Sequence, residues 1–222
     1  SSTFEDSDSS EAESTAALAV NPLLGRAITF ASKNPFPDQL MLEGFHTKVK
    51  EDPDRLMFGW LDSKTNVVNS FTRKELWDKS RALAYYLHES CGMRPGQHAM
   101  IVYPFGIEFL VGFLALLRLG VIVVSVYPPN PENFESDIPK FKHFVEDSGA
   151  TVALTTGKYL RLVQASQLIH KNWPSTIKWF ASDKKYPAAP EDWLDHSPQL
   201  DDVALIQYLS GSRSDPKGVM IT

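Results

Sequence analysis

From Thr72 to Leu209 the sequence changes period repeatedly: stretches with apolar residues three and four apart alternate with short continuous apolar runs. Thr72 and Glu75 form a Thr-x-x-Glu capping box, which satisfies two orphan amides at a helix start. Leu76, Ser80, Leu83, Ala84 and Leu87 then recur at helical spacing, and Cys91-Gly92 closes the helix. HAMIVY reads as a strand buried on both faces. A helix from Gly106 to Leu119, strand VIVVSV and the break YPPNP follow. A helix from Asp137 to Ser148 puts Ile138, Phe141, Phe144 and Val145 on one side. Strand TVALTT, a helix from Gly157 to Lys171, strand IKWFA, the irregular YPAAPEDWLDHSPQL and strand VALIQYL complete the series. Helices and strands joined by short connections build layers around a mostly parallel sheet. The expected fold is therefore α/β: a layered, mostly parallel sheet flanked by helices.

Upstream, Leu40 to Lys50 forms a helix between breaks at Pro37 and Pro53, and LMFGWLD and NVVNSFT form a hairpin around a polar turn. The first 14 residues hold Glu5, Asp6, Asp8, Glu11 and Glu13 with no base, and few apolar residues. Residues 1–20 are thus expected to be a disordered, acidic, Ser-rich tail. The formal net charge is −5, and beyond the tail acids and bases balance at 22 each. Such a balance excludes the basic footprint of a nucleic-acid binder. The apolar run from Phe109 to Val126 is interrupted by Gly112, Arg118, Gly120 and Ser125, so it reads as a buried helix and strand, not a membrane span. Cys91 is the single cysteine; it excludes an internal disulfide, fits a reducing cytoplasmic compartment, and reads as a half-buried thiol at a helix end. No Cys/His spacing points to a metal site. The six histidines are read as surface or satisfied residues on helices or loops, and the five tryptophans as core or interface residues.

The last strand runs into SGSRSDPKG. In an open parallel sheet, ligands bind beyond the carboxyl ends of strands. Gly211 and Gly218 let main-chain N–H groups turn inward and form a nest for an anion. Ser210, Ser212 and Ser214 add hydroxyl donors, and Lys217 adds a mobile cation suited to phosphate. The stretch departs from the Walker pattern G-x-x-x-x-G-K-[ST]. By physics alone, a phosphate cradle and an ordinary surface loop both remain open.

The whole stretch YLSGSRSDPKGV resembles the phosphate-loop signature of adenylate-forming enzymes, Y-T-S-G-S-T-G-x-P-K-G-V. Ser214 stands where that signature has its second glycine, as it commonly does in fatty acyl-AMP ligases. GVIVVSVYPPNP resembles the region where those ligases carry a V-P-x-Y-P-P turn; GFLALLRLGVIVV and FKHFVEDSGATVALTT are similar to the elements around it. The resemblance runs from Phe45 to Thr222 and implies that residues 21–222 are the N-terminal sub-domain of an AMP-binding domain, ending after its phosphate loop. It implies ATP and Mg2+ as cofactors and a fatty acid as substrate, joined to AMP with release of pyrophosphate. A carrier protein's thiol or coenzyme A would then accept the acyl group. By position, Ser210, Gly211, Ser212, Arg213, Ser214, Lys217 and Gly218 would surround the β- and γ-phosphates.

Two residues depart from the signature. Leu209 replaces a threonine, and Arg213 replaces threonine or serine, where it either grips phosphate with a bidentate fork or fills the cradle. Tyr127-Pro128-Pro129 either lines the acyl path or forms a rigid strand exit. The resemblance implies that the adenine contacts, a magnesium-linked glutamate and a catalytic lysine come after Thr222, so this stretch alone would be inactive. A degenerate, non-catalytic interaction or lipid-binding module, like those of disco-interacting proteins, is the second reading; an unrelated α/β interaction domain is the third.

Overall fold

The computed structural model describes residues 40–209 and 217–222. A first helix, α1 (Met41–Glu51), buries Phe45. The hairpin follows as β1 (Leu56–Leu61) and β2 (Val67–Thr72), paired antiparallel. Its turn is built by Asp62, whose carboxylate accepts the amides of Lys64 and Asn66 at 2.8 and 2.9 Å. These bonds hold the Asp62 carboxyl below its ordinary value. The capping box forms as expected at α2 (Arg73–Cys91): Thr72 Oγ1 accepts from the Glu75 amide, and the Thr72 amide donates to Glu75 Oε2. The buried residues of α2 are the five that helical spacing selected, and Gly92 ends it at φ +70°.

Four parallel pairings and one antiparallel pairing build a six-stranded sheet in the order β6-β5-β3-β4-β7-β8. The strands are β3 (His98–Ile101), β4 (Ile122–Ser125), β5 (Val152–Thr155), β6 (Lys178–Ala181), β7 (Leu205–Leu209) and β8 (Lys217–Ile221). Between them run α3 (Phe109–Arg118), α4 (Phe134–Ser148) and α5 (Gly157–Ile169). The mostly parallel α/β sheet flanked by helices is as the sequence implies. Successive side chains on a strand point to opposite faces, and here that divides the core in two. Ala99, Ile101, Val123, Val152 and Leu154 pack with α2 and α3. Met100, Val102, Val124 and Ala153 pack with α4 and α5.

Three details differ from the sequence reading. The α3 helix starts at Phe109, not Gly106, because the chain first makes tight turn bonds, Leu110 N to Ile107 O and Val111 N to Glu108 O. The α4 helix starts earlier, at Phe134, because a 3-10 turn over Pro131–Asn133, capped by the Asn130 side chain, feeds straight into it. His98 opens the strand read from HAMIVY, against the placing of all six histidines on helices or loops, and its Nδ1 donates to the Ser148 carbonyl. Cys91 is half-buried, as expected. Among the described residues, no helix is long and apolar enough to cross a membrane.

Candidate functional site

The carboxyl ends of β3, β4 and β7 open into a cleft of about 860 Å³. Aromatic side chains from five parts of the chain form much of its wall: Trp60 from β1, Phe105 from the β3–α3 connection, Phe109 from the start of α3, Tyr127 after β4, and Phe144 from α4. Phe105 and Tyr127 meet edge to face at 6.5 Å and are each more than four-fifths exposed. Tyr127-Pro128 therefore borders the cleft and shapes the exit of β4 at once. Lys140 is a basic lining residue; its ammonium sits 3.1 Å from Asp137 Oδ1.

On the β7 side the wall is Tyr208, the first residue of the loop signature. Its ring packs 4.7 Å from Phe144, and its hydroxyl donates to Asp147 Oδ2 at 2.5 Å. Burial and the Asp147 hydrogen bond both push the Tyr208 phenol up, so it remains a donor at neutral pH. Neither Asp147 nor the contact was foreseen; the two residues are 61 positions apart.

Of the sequence-chosen phosphate residues, Lys217 and Gly218 lie on β8, where Gly218 pairs with Tyr208 and Lys217 with Leu209. The chain therefore leaves and re-enters the sheet at its carboxyl edge, beside the aromatic cleft. Ser210, Gly211, Ser212, Arg213 and Ser214 lie outside the described residues. Among the described residues, no group of three or more His, Cys, Asp or Glu side chains is placed to hold a metal.

A second cavity, also about 860 Å³, opens at the opposite ends of the strands, lined by His46, Trp77, Asp195 and His196. The carboxyl-end cleft is the better candidate for chemistry, because strand ends and loops there present free amides to a ligand. Beneath the second cavity lies a group the sequence reading passed over. Arg118, taken only as an interruption of an apolar run, is fully buried. Its Nη1 donates to Asp195, its Nε donates to Ser80 Oγ at 3.1 Å, and its guanidinium covers the Trp77 ring at 3.7 Å. Burial pushes the arginine down to about 10, against the pull of Asp195, so it remains charged at neutral pH. Burial raises the Asp195 carboxyl, with Arg118 and Arg81 opposing. The sequence signal was an arginine inside an apolar helical stripe, which needs a buried partner.

A mostly parallel sheet between two helical layers, with a cleft at the strand carboxyl ends, is an α/β architecture in which ligands characteristically bind beyond those ends. Residues 45–222 match the AMP-binding enzyme family, and the chain belongs to that family of adenylate-forming enzymes. It is 33% identical over 169 residues to a medium-chain-fatty-acid–[acyl-carrier-protein] ligase of Moorena producens, covering 76% of this chain and 28% of that protein. It is 27% identical to Disco-interacting protein 2 of Drosophila melanogaster, covering 84% of this chain and 11% of that one. A fatty acid AMP ligase of Legionella pneumophila shares the fold with a TM-score of 0.64 at 22% identity, over 80% of this chain and 29% of that structure. The chain thus spans less than a third of each of these relatives.

Proposed function

We propose that the chain is the N-terminal part of a cytoplasmic, ATP-dependent ligase that activates a fatty acid as its acyl adenylate. In this reading residues 21–222 belong to a sub-domain of the AMP-binding domain, and the acidic, Ser-rich stretch 1–20 lies outside the described residues. One observation carries the reading: β7 and β8 bring Tyr208, Lys217 and Gly218 together at the edge of an aromatic cleft of about 860 Å³. The family membership and the ligase relative from Moorena producens support it.

In this reading a carboxylate oxygen of the fatty acid attacks the α-phosphorus of ATP. A new P–O bond forms, the bond to the bridging α–β oxygen breaks, and pyrophosphate leaves with the electron pair. Ser210, Gly211, Ser212, Arg213, Ser214, Lys217 and Gly218 surround the β- and γ-phosphates and stabilise the charge that grows there. The apolar wall takes up the acyl chain, and a carrier-protein thiol or coenzyme A accepts the acyl group afterwards. Bound Mg2+ would add to the neutralisation of the phosphate charge. Residues outside this chain complete the site, and the chain alone is inactive.

The second reading, an interaction module with a degenerate loop, is favoured by Arg213 and by the similarity to Disco-interacting protein 2. Pyrophosphate release from the full-length protein, with ATP, Mg2+ and fatty acids of graded length, separates the two. Release that depends on fatty acid supports the ligase. No release, with no ATP binding by calorimetry, supports the module. If Arg213 fills the cradle, Arg213→Thr raises ATP affinity; a weaker-binding variant shows instead that the arginine grips phosphate.

A further inference from the structure

The connection from β6 to β7, residues 182–204, has no regular structure, yet it is fastened firmly to the α2–α3 layer. Arg81 donates to the carbonyls of Ala189, Pro190, Glu191 and Trp193, the last at 2.6 Å. Its guanidinium also lies 5.7 Å from the Trp193 ring. Further on, Asp195 meets the buried Arg118, and the His196 amide donates to the Arg118 carbonyl at 2.7 Å. The His196 ring rests on Gly120, at φ +63°, where any Cβ would collide with it.

Arg118 is the last residue of α3, and the chain enters β4 at Ile122, only a short turn later. Past His196, the connection enters β7 at Leu205. Those two strands pair in parallel, Val123 with Leu205. The Val123 amide donates to the Ala204 carbonyl at 3.0 Å. The Arg118–Asp195 contact therefore closes a small ring of chain whose two arms are β4 and β7. Holding that contact limits how far β7 can slide along β4. A one-residue slip would turn every β7 side chain to the other face.

As a stabiliser the ion pair is poorly made: Arg118 Nη2 and Asp195 Oδ1 are buried without a hydrogen-bond partner among the described residues. A buried charge pair of this kind is often replaceable by apolar residues at no loss of stability, and its best-attested use is to specify register. Nor does Arg118 lie at the carboxyl-end cleft; it lies toward the opposite ends of the strands.

We propose that Arg118, through Asp195, is a positioning residue that sets the register of β7 on β4, and so places Tyr208 and the β7–β8 pairing at the cleft edge. The consequence for nucleotide binding rests on the function proposed above; the register itself does not.

The test uses the full-length protein carrying Arg118→Met with Asp195→Leu, and Val163→Ala on α5 as a core control. Hydrogen exchange without nucleotide reads the Leu205–Leu209 amides directly. The double variant is expected to keep its Tm within a few degrees of wild type, while those amides exchange at least about tenfold faster. The control loses Tm but leaves them protected relative to the rest of the sheet. In the double variant KM for ATP rises about tenfold with KM for the fatty acid unchanged, and Arg118→Lys alone restores part of the protection. If the double variant does not fold, Asp195→Asn carries the same comparison. Unchanged β7 exchange in a folded variant, or exchange that merely tracks Tm as in the control, overturns the proposal. A wild-type protein that consumes no ATP overturns the ligase reading but leaves the exchange result to decide the register on its own.

Discussion

Gly218 shows how little room the loop's closing strand has. A Cβ placed there would lie 2.8 Å from Ile206 Cγ2 and 3.4 Å from Tyr208 Cζ. Both neighbours are on β7, and Tyr208 is in turn tied to Asp147 on α4. Adding one methyl group therefore presses on the strand and on the hydrogen bond that docks it. Gly218→Ala is expected to destabilise the domain by about 1–3 kcal/mol, the usual cost of overpacking. Urea unfolding should show this as a lower midpoint at unchanged slope. An unchanged midpoint would mean that the Ile206 side chain moves aside freely. The glycine was chosen from sequence as a phosphate contact; its packing gives it a structural reason to be small as well.

At the scale of single elements, α2 supplies the floor for much of one core. It buries Leu76, Leu83, Ala84 and Leu87, and its Arg81 and Ser80 hold the β6–β7 connection and Arg118. Its start depends on Thr72, whose hydroxyl and amide both take part in the capping box. Thr72→Ala removes the side-chain acceptor and should cost about 1 kcal/mol, within the range for lost N-caps. Thr72→Ser should recover most of it, since serine caps at least as well. Thermal unfolding of the three proteins side by side checks the order wild type, Ser, Ala. Full stability in the alanine variant would show that α2 is held by tertiary packing alone.

Across the whole molecule, the parallel sheet separates two cores that must form together. Phe141 is 1% exposed and stands against Trp173 and Trp179, at ring distances of 5.7 and 5.4 Å. It packs on the face opposite α2. Truncating so large a buried ring leaves a cavity, so Phe141→Ala should cost about 3–5 kcal/mol. Because each central strand contributes to both cores, the loss should appear as one cooperative transition. Tryptophan fluorescence and far-ultraviolet circular dichroism should therefore shift together; two separated transitions would refute a single cooperative unit.

Much of this could be read from the chain before any coordinates. Element types follow from periodicity, which is a local property: the spacing on α2 names its buried face, and the continuous run of β3 announces a strand covered on both sides. The Thr72–Glu75 box and the Gly92 stop are local too. The phosphate-loop signature is likewise contiguous, so its residues could be chosen without knowing the sheet. What periodicity cannot carry is the choice of neighbour. The order of strands, the antiparallel return of β8 and the contact of Tyr208 with Asp147 join residues far apart in sequence. The pairing of Arg118 with Asp195, 77 positions away, is of the same kind. A helix pattern shows that a residue faces inward; only the packed fold decides what it meets there. Arg118 marks that boundary, because its burial was written in the stripe around it, while its partner was fixed by the route of an irregular connection that leaves no periodic trace.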